Sequence, residues 1–171
     1  MTANEQWAER GTRVFLTNYK PRPVLMERGE GSHLIDADGN RYVDFVSGIA
    51  VSSLGYNHPK LIAAVQEQAA KVMHTSNVFW NEPSVTLAEK LVEHSFAERV
   101  YFANSGAEAN EAMLKLARRV FHERGEGRFE FICFDRSFHG RTMATVTCTG
   151  QEKKKIGFEP LLPGVRHVPW G

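Results

Sequence analysis

Apolar residues recur every three or four positions in three stretches of the chain, a spacing typical of helices with one buried face. The first two stretches begin at Pro59 and Pro83, and proline is favoured in the first turn of a helix. The third covers residues 107–124, with an inward face made of Ala109, Ala112, Met113, Leu116, Ala117, Val120 and Phe121. The pattern therefore predicts three amphipathic helices.

Short runs of β-branched and aromatic residues predict strands around the third helix. Residues 100–103 precede it, and residues 129–134 follow it as an apolar strand too continuous to be half exposed. Strand, helix and strand in this order form a βαβ unit, which implies a parallel sheet and an α/β fold. Residues 166–171 predict another strand, and residues 142–149 fit either a strand or a helix.

The first third of the chain carries different signals. Residues 1–23 are predicted to be an N-terminal arm, because two of its last three residues are prolines. Residues 32–36 and 41–45 flank a turn and predict a β-hairpin. Residues 48–57 are interpreted as a packed loop, and the aromatic loop 78–81 as buried in the core or in a subunit interface.

Composition removes several classes of function. With a net charge of +1, the chain lacks the basic excess typical of nucleic-acid binders, and the lysine run 153–155 is read as a solvated face. No apolar run is long enough to predict a membrane span, and the polar first residues do not predict a signal peptide. Membrane and nucleic-acid partners are therefore not expected.

The spacing of the cysteines and histidines indicates whether the chain binds a metal and whether its cellular compartment is reducing. Cys133 and Cys148 lie in apolar segments without C-x-x-C spacing, which indicates buried free thiols in a reducing cytosol. The seven histidines show no ligand spacing, so no metal site is predicted. A Rossmann-type oxidoreductase is disfavoured, because Gly29 and Gly31 precede a hairpin rather than a strand-to-helix turn.

The start of the third helix is the first candidate site. Ser105 as N-cap with Glu108 three residues later is a capping box, which needs no ligand. Gly106, however, leaves the backbone of the first turn open to close approach, and the predicted position at the carboxyl end of a parallel strand suits a ligand. The free N–H groups of a helix N-terminus favour a phosphate.

The second candidate site is the segment 138–141. Phe138 offers a planar ring and Arg141 a cation whose planar fork can hold a carboxylate with two hydrogen bonds. Alternatively, Phe138 packs into the core and Arg141 forms a surface ion pair. Because the segment follows a predicted parallel strand, we expect it at the same sheet edge as Ser105. Tyr19, between prolines of the arm, either reaches into a site or anchors the arm.

Nine ordered segments together resemble class III, pyridoxal-phosphate-dependent aminotransferases, and most closely the acetylornithine and succinylornithine aminotransferase subgroup. The segments are residues 31–39, 42–45, 48–51, 57–59, 74–77, 96–99, 104–112, 137–142 and 157–161. The resemblance implies an aspartate-aminotransferase-like α/β fold (fold type I). Residues 1–57 would be the arm and hairpin of the small domain, and residues 58–171 the beginning of the large cofactor-binding domain.

The resemblance also implies roles for individual residues. Ser105, Gly106 and Ala107 would bind the phosphate of pyridoxal 5′-phosphate, and Phe138 would stack on its ring, with His139 beside it. Arg141 would hold a substrate carboxylate, and Tyr19 would contact the substrate. No catalytic residue is expected, because the family's Schiff-base lysine lies outside these residues and the lysines at 153–155 stand in a different context.

The implied reaction moves the terminal amino group of N-acetylornithine, succinylornithine or ornithine to 2-oxoglutarate, in arginine and ornithine metabolism. Members are usually homodimers, with the loop 74–81 near the interface, and together with the free cysteines a cytoplasmic protein is expected. Ser52 and Tyr56 stand where the subgroup commonly has Asn and His, which leaves the substrate open. The alternative is a truncated, non-catalytic chain that acts at most as a phosphate-ligand binder or a dimerisation partner.

Overall fold

The computed structural model describes residues 1–171, which form two compact units, Met1–Trp80 and Asn81–Gly171. Helices and strands are mixed throughout, so the predicted α/β class is confirmed. None of the helices combines the length and the apolar character needed to span a bilayer. The predicted boundary at residue 57 concerns the domains of a longer protein and stays a prediction.

The first unit is built on a three-stranded antiparallel sheet. Its strands are β1 (Met26–Glu30), β2 (His33–Asp36) and β3 (Arg41–Val43), in that spatial order. His33 lies opposite Val43 across the β2–β3 pair, so the predicted hairpin is confirmed. The turn between these strands contains Gly39 at φ +87°, a conformation that favours glycine. Strand β1 was not predicted from the sequence.

Helix α1 (Ala3–Val14) forms the first part of the predicted N-terminal arm and was not itself predicted. A capping box was the overlooked signal, since the Thr2 hydroxyl accepts from Glu5 N–H and the Glu5 carboxylate accepts from Thr2 N–H. Burial by itself would raise the pKa of Asp36, but hydrogen bonds from Asn40, Tyr42 and Asn4 lower it far below its ordinary value. The ionised Asp36 thereby ties α1 to the hairpin.

The remainder of the first unit is mostly helical, and many of its apolar side chains are exposed. It contains the short turn α2 (Ser47–Ala50), helix α3 (Pro59–Lys71) and a 3-10 turn at Ser76–Val78. The helix predicted at Pro59 is confirmed. The packed loop expected at 48–57 is only partly confirmed: Tyr56 packs against Gly29 of β1 and pairs with Gly31, whereas Ile49, Val51 and Leu54 are exposed. The aromatic loop 78–81 is not part of the core, since Trp80 is 93% exposed, and its predicted place in a subunit interface stays a prediction.

The second unit contains a two-stranded parallel sheet with helices. Helices α4 (Glu82–Glu93) and α5 (Gly106–Glu123) come first, and both confirm predicted helices. Then follow β4 (Phe131–Phe134), α6 (Met143–Cys148), a 3-10 turn at Glu152–Lys154 and β5 (Val165–Val168). Strands β4 and β5 pair in parallel, with Phe131 opposite Val165 and Phe134 opposite Val168. The ambiguous segment 142–149 is a helix, since it contains α6. The strand predicted at residues 166–171 is present as β5, which ends at Val168.

Two strand predictions need correction. Residues 100–103 form no strand, because no neighbouring segment hydrogen-bonds to them, and the parallel pair is β4–β5 instead. Strand β4 is also half exposed rather than covered on both sides, with Ile132 72% exposed. The reason is that the core of this unit lies on one face of the sheet only, where Leu114, Cys133 and Cys148 pack together with Phe131, Ala144 and Val165.

Candidate active site

The N-terminus of α5 carries three backbone donors without a partner. The Ser105 hydroxyl accepts from Glu108 N–H at 3.2 Å, as expected for an N-cap. The Glu108 carboxylate does not return to Ser105; it accepts from the N–H of Asn104 at 2.7 Å. The predicted capping box is thus only half formed. The N–H groups of Ser105, Gly106 and Ala107 make no hydrogen bond in the structure.

Gly106 keeps the approach to these donors open. A Cβ atom at this position would meet no heavy atom within 4 Å. The positive end of the helix dipole adds to the three unpartnered N–H groups, and together they form a seat for an anion such as a phosphate. We call residues 105–107 the anion seat.

The segment 138–141, which we call the ring loop, packs directly against the anion seat. Gly140 is buried and has φ +141°. A Cβ atom at Gly140 would lie 2.8 Å from Cβ of Ala107 and 2.5 Å from Oγ1 of Thr145, far inside normal contact distance. Only glycine allows the loop to come this close. The structure therefore brings together the two segments that the sequence placed at a common edge.

Hydrogen bonds hold the ring loop on both sides. On the α5 side, Asn110 Nδ2 donates to the carbonyl of His139 at 2.7 Å, and the Thr142 hydroxyl donates to the Glu111 carboxylate. On the α6 side, His139 N–H donates to Oγ1 of Thr149 at 3.0 Å. No sequence motif had pointed to Asn110, Glu111 or Thr149 as residues that hold this loop. The helical period was the available signal, since Asn110 follows the anion seat by one turn.

Phe138 and Arg141 remain accessible in this arrangement. The Phe138 side chain is 59% exposed, and Cζ of Arg141 lies 5.5 Å from the centre of its ring. Arg141 takes part in no ion pair, and Phe138 is not in the core. The alternative of a core phenylalanine with an ion-paired arginine is therefore not what the structure has. An exposed aromatic ring and a guanidinium without an ion pair are therefore carried by the loop that packs against the anion seat.

Tyr19 lies in the first unit, where its side chain is exposed and lines an open groove of about 1110 Å³. The groove is formed by the end of α1 and residues 15–25. The predicted role of Tyr19 in substrate binding stays a prediction, as do the roles predicted for the anion seat and the ring loop.

The lysine run contains one buried amine. Lys155 is 5% exposed, and its Nζ donates to the Glu152 carboxylate at 2.8 Å, although Lys153 is exposed as expected. This hydrogen bond and the charge of Lys155 lower the pKa of Glu152. The expectation that the whole run is a solvated face is therefore wrong for Lys155, whose amine is engaged by a neighbouring carboxylate.

Known proteins similar to this chain agree on its family. An acetylornithine aminotransferase of Myxococcus xanthus is 48% identical over 171 residues, which are 99% of this chain and 43% of that protein. A succinylornithine transaminase/acetylornithine aminotransferase of Pseudomonas aeruginosa is 51% identical over 159 residues, 92% of this chain and 39% of that protein. The chain thus spans about two fifths of the length of these curated relatives.

Solved structures agree with the sequence comparisons. The ornithine aminotransferase of Toxoplasma gondii superposes with a TM-score of 0.92 at 28% identity, covering 99% of this chain and 41% of that one. A Bacillus anthracis aminotransferase gives a TM-score of 0.91 at 31% identity, covering 99% of this chain and 40% of that one. The fold is therefore that of fold type I aminotransferases, as predicted. Because the sequence pattern of aminotransferase class-III also matches residues 14–171, this chain belongs to the class-III aminotransferase family.

Proposed function

We propose that this chain is the N-terminal part of an enzyme that transfers the terminal amino group of N-acetylornithine, succinylornithine or ornithine to 2-oxoglutarate. The names of the two curated relatives and of the Toxoplasma gondii structure support this substrate class, and the chain spans 39–43% of the length of the two relatives. The observation that carries the proposal is the anion seat with the ring loop packed on it.

The residues present fit one end of the family's cofactor, pyridoxal 5′-phosphate. Three unpartnered N–H groups around an open Gly106 suit the phosphate. The exposed face of Phe138, on a loop held against Ala107, suits the pyridine ring. When bound, this cofactor supplies an electron sink for a deprotonated carbon.

The residues of this chain would bind and orient the reactants. We assign the phosphate to the anion seat, and the ring to Phe138 with His139 beside it. Arg141, whose guanidinium makes no ion pair, would hold a carboxylate of the amino acid or of 2-oxoglutarate. Tyr19 would contact the substrate from the arm. Such fixation before reaction lowers the entropic part of the barrier.

The same proposal includes the assembly. Residues 1–57 would belong to the small domain and residues 58–171 to the beginning of the large domain. The enzyme would be a homodimer with the loop 74–81 near its interface, which is supported by the exposure of Trp80 and its aromatic neighbour Phe79. The two free cysteines support a reducing compartment, the cytosol.

Titration with pyridoxamine 5′-phosphate tests the anion seat, because this ligand lacks the aldehyde that reacts with surface lysines. Gly106→Asp places a carboxylate at the open position, and Gly106→Asn is the matched uncharged control. We expect calorimetry to show roughly tenfold weaker binding for the Asp variant than for the Asn variant, since like charges repel at the helix terminus. Thermal stability of the Asp variant should be equal or higher, because a carboxylate favours this end of the helix.

Two results would contradict the proposal. One is equal affinity of both variants for pyridoxamine 5′-phosphate. The other is unchanged affinity when pyridoxamine, which has no phosphate, replaces the phosphorylated ligand.

A further inference from the structure

Asn110 is the residue of α5 whose side chain reaches the backbone of the ring loop. It is partly buried, and its Nδ2 donates to the carbonyl of His139 at 2.7 Å. His139 directly follows Phe138, so this bond acts one peptide away from the exposed aromatic ring. It bridges 29 positions of sequence.

The His139 residue is held from two elements at once. Its carbonyl is bound by Asn110 of α5, and its N–H donates to the fully buried Thr149, the residue that ends α6. Without Asn110, these polar contacts would tie His139 to α6 alone. Its position relative to the anion seat would then depend on the packing of Gly140 against Ala107.

Resting on the proposed function, we propose that Asn110 is a positioning residue for cofactor binding: it sets the Phe138 ring at the correct distance from the anion seat. The Asn110 side chain does not reach the ligand itself. It acts through the His139 peptide on Phe138, so its effect requires an aromatic ring at position 138.

Two ligands separate this role from a general structural one. Inorganic phosphate uses the anion seat only, whereas pyridoxamine 5′-phosphate uses both the seat and the ring loop. In Asn110→Leu, which keeps the branched shape of the side chain but removes the donor, we expect unchanged affinity for phosphate. Affinity for pyridoxamine 5′-phosphate should fall about three- to tenfold, the size of a well-placed aromatic contact. Asn110→Ala, which also lacks the donor and adds neither charge nor bulk, is the second variant in case the first folds poorly.

A double-mutant cycle with Phe138→Ala then tests whether Asn110 acts through the ring. In the Phe138→Ala background, Asn110→Leu should have no effect on either ligand, because the ring it positions is absent. Lys115→Gln is the control on the same helix. Lys115 is exposed and makes no hydrogen bond to the ring loop, so this variant should leave the ratio of the two affinities unchanged.

The outcomes distinguish the two proposals. If the unaltered chain fails to bind inorganic phosphate, the proposed function fails, and this inference fails with it. If phosphate binds but Asn110→Leu weakens both ligands equally, or still weakens binding in the Phe138→Ala background, Asn110 is a structural residue. The positioning role is then overturned while the anion seat stands.

Discussion

Gly140→Ala is the substitution for which the structure makes the sharpest prediction about stability. Gly140 is buried with φ +141°, a backbone conformation that side chains other than glycine rarely adopt. An added Cβ would lie 2.5 Å from Oγ1 and 2.9 Å from Cβ of Thr145, and 2.8 Å from Cβ of Ala107. Neither neighbour can move away easily. Thr145 is fully buried in α6, and Cβ of Ala107 is attached directly to the backbone in the first turn of α5.

Two contributions set the magnitude. Overpacking of a close-packed site costs about 1–3 kcal/mol. Holding a residue other than glycine at an unfavourable φ costs about 1–3 kcal/mol as well. Because the backbone can relax to relieve part of both, we expect Gly140→Ala to lower the free energy of unfolding by about 2–4 kcal/mol.

Urea unfolding followed by tryptophan fluorescence provides the measurement. Trp170 lies in the same unit as Gly140, with its ring 4.4 Å from that of Phe134, whereas Trp7 and Trp80 lie in the first unit. Replacing Trp7 and Trp80 by phenylalanine leaves Trp170 as the reporter of the second unit. With a slope of about 2 kcal/mol per molar urea, the midpoint should fall by about 1–2 M.

Gly125→Ala is the matched control. Gly125 has φ +69°, but a Cβ there would meet nothing within 4 Å, so this variant carries the backbone strain without the collision. We expect it to cost about 1–2 kcal/mol, less than Gly140→Ala. Equal losses for the two variants would refute the reasoning, because close packing of the ring loop on the anion seat would then contribute nothing.

Three further predictions concern single groups. Burial and the neighbouring Cys133 raise the pKa of Cys148 to about 12, and Cys133 is itself buried. Neither thiol should react with a disulfide reagent at pH 8 until the chain is unfolded, when two should react per chain. The Tyr56 hydroxyl lies 2.6 Å from the Asp44 carboxylate and lowers the pKa of that carboxyl. The resulting stabilisation of the folded chain is present above the ordinary pKa of the carboxyl and is lost as the pH falls through the lowered pKa. Tyr56→Phe should therefore flatten the loss of thermal stability below about pH 4. Ser105→Ala removes the N-cap of α5 and should lower the free energy of unfolding by about 1 kcal/mol in urea, with Ser105→Asn close to the unaltered chain.

Each of these has a clear contrary result. Rapid reaction of a thiol in the folded chain would show that the Cys133–Cys148 cluster opens. A Tyr56→Phe variant with the same acid sensitivity as the unaltered chain would mean that the phenol does not stabilise the ionised carboxylate of Asp44. Equal stability of Ser105→Ala and Ser105→Asn would mean that the cap contributes no free energy.

The sequence alone determined the features that depend on a few neighbouring residues. Pro59 and Pro83 at helix starts, the apolar period of α5 and the Ser105 cap each act within one or two turns, so their patterns predicted helices at the observed places. The turn between β2 and β3 predicted the hairpin for the same reason. Helix α1 could also have been predicted from the sequence, since its capping box is a local signal.

Tertiary structure decided what depends on residues far apart in the chain. Residues 100–103 are apolar enough for a strand, yet a strand also needs a hydrogen-bonding neighbour, and no local pattern shows whether one is there. Similarly, the sequence suggested that the anion seat and the ring loop share an edge, but not that Gly140 lies on Ala107 or that Asn110 binds the His139 carbonyl. Those contacts join α5 to a loop beyond the next strand, and their distances follow from how the helix packs on the sheet rather than from any local preference.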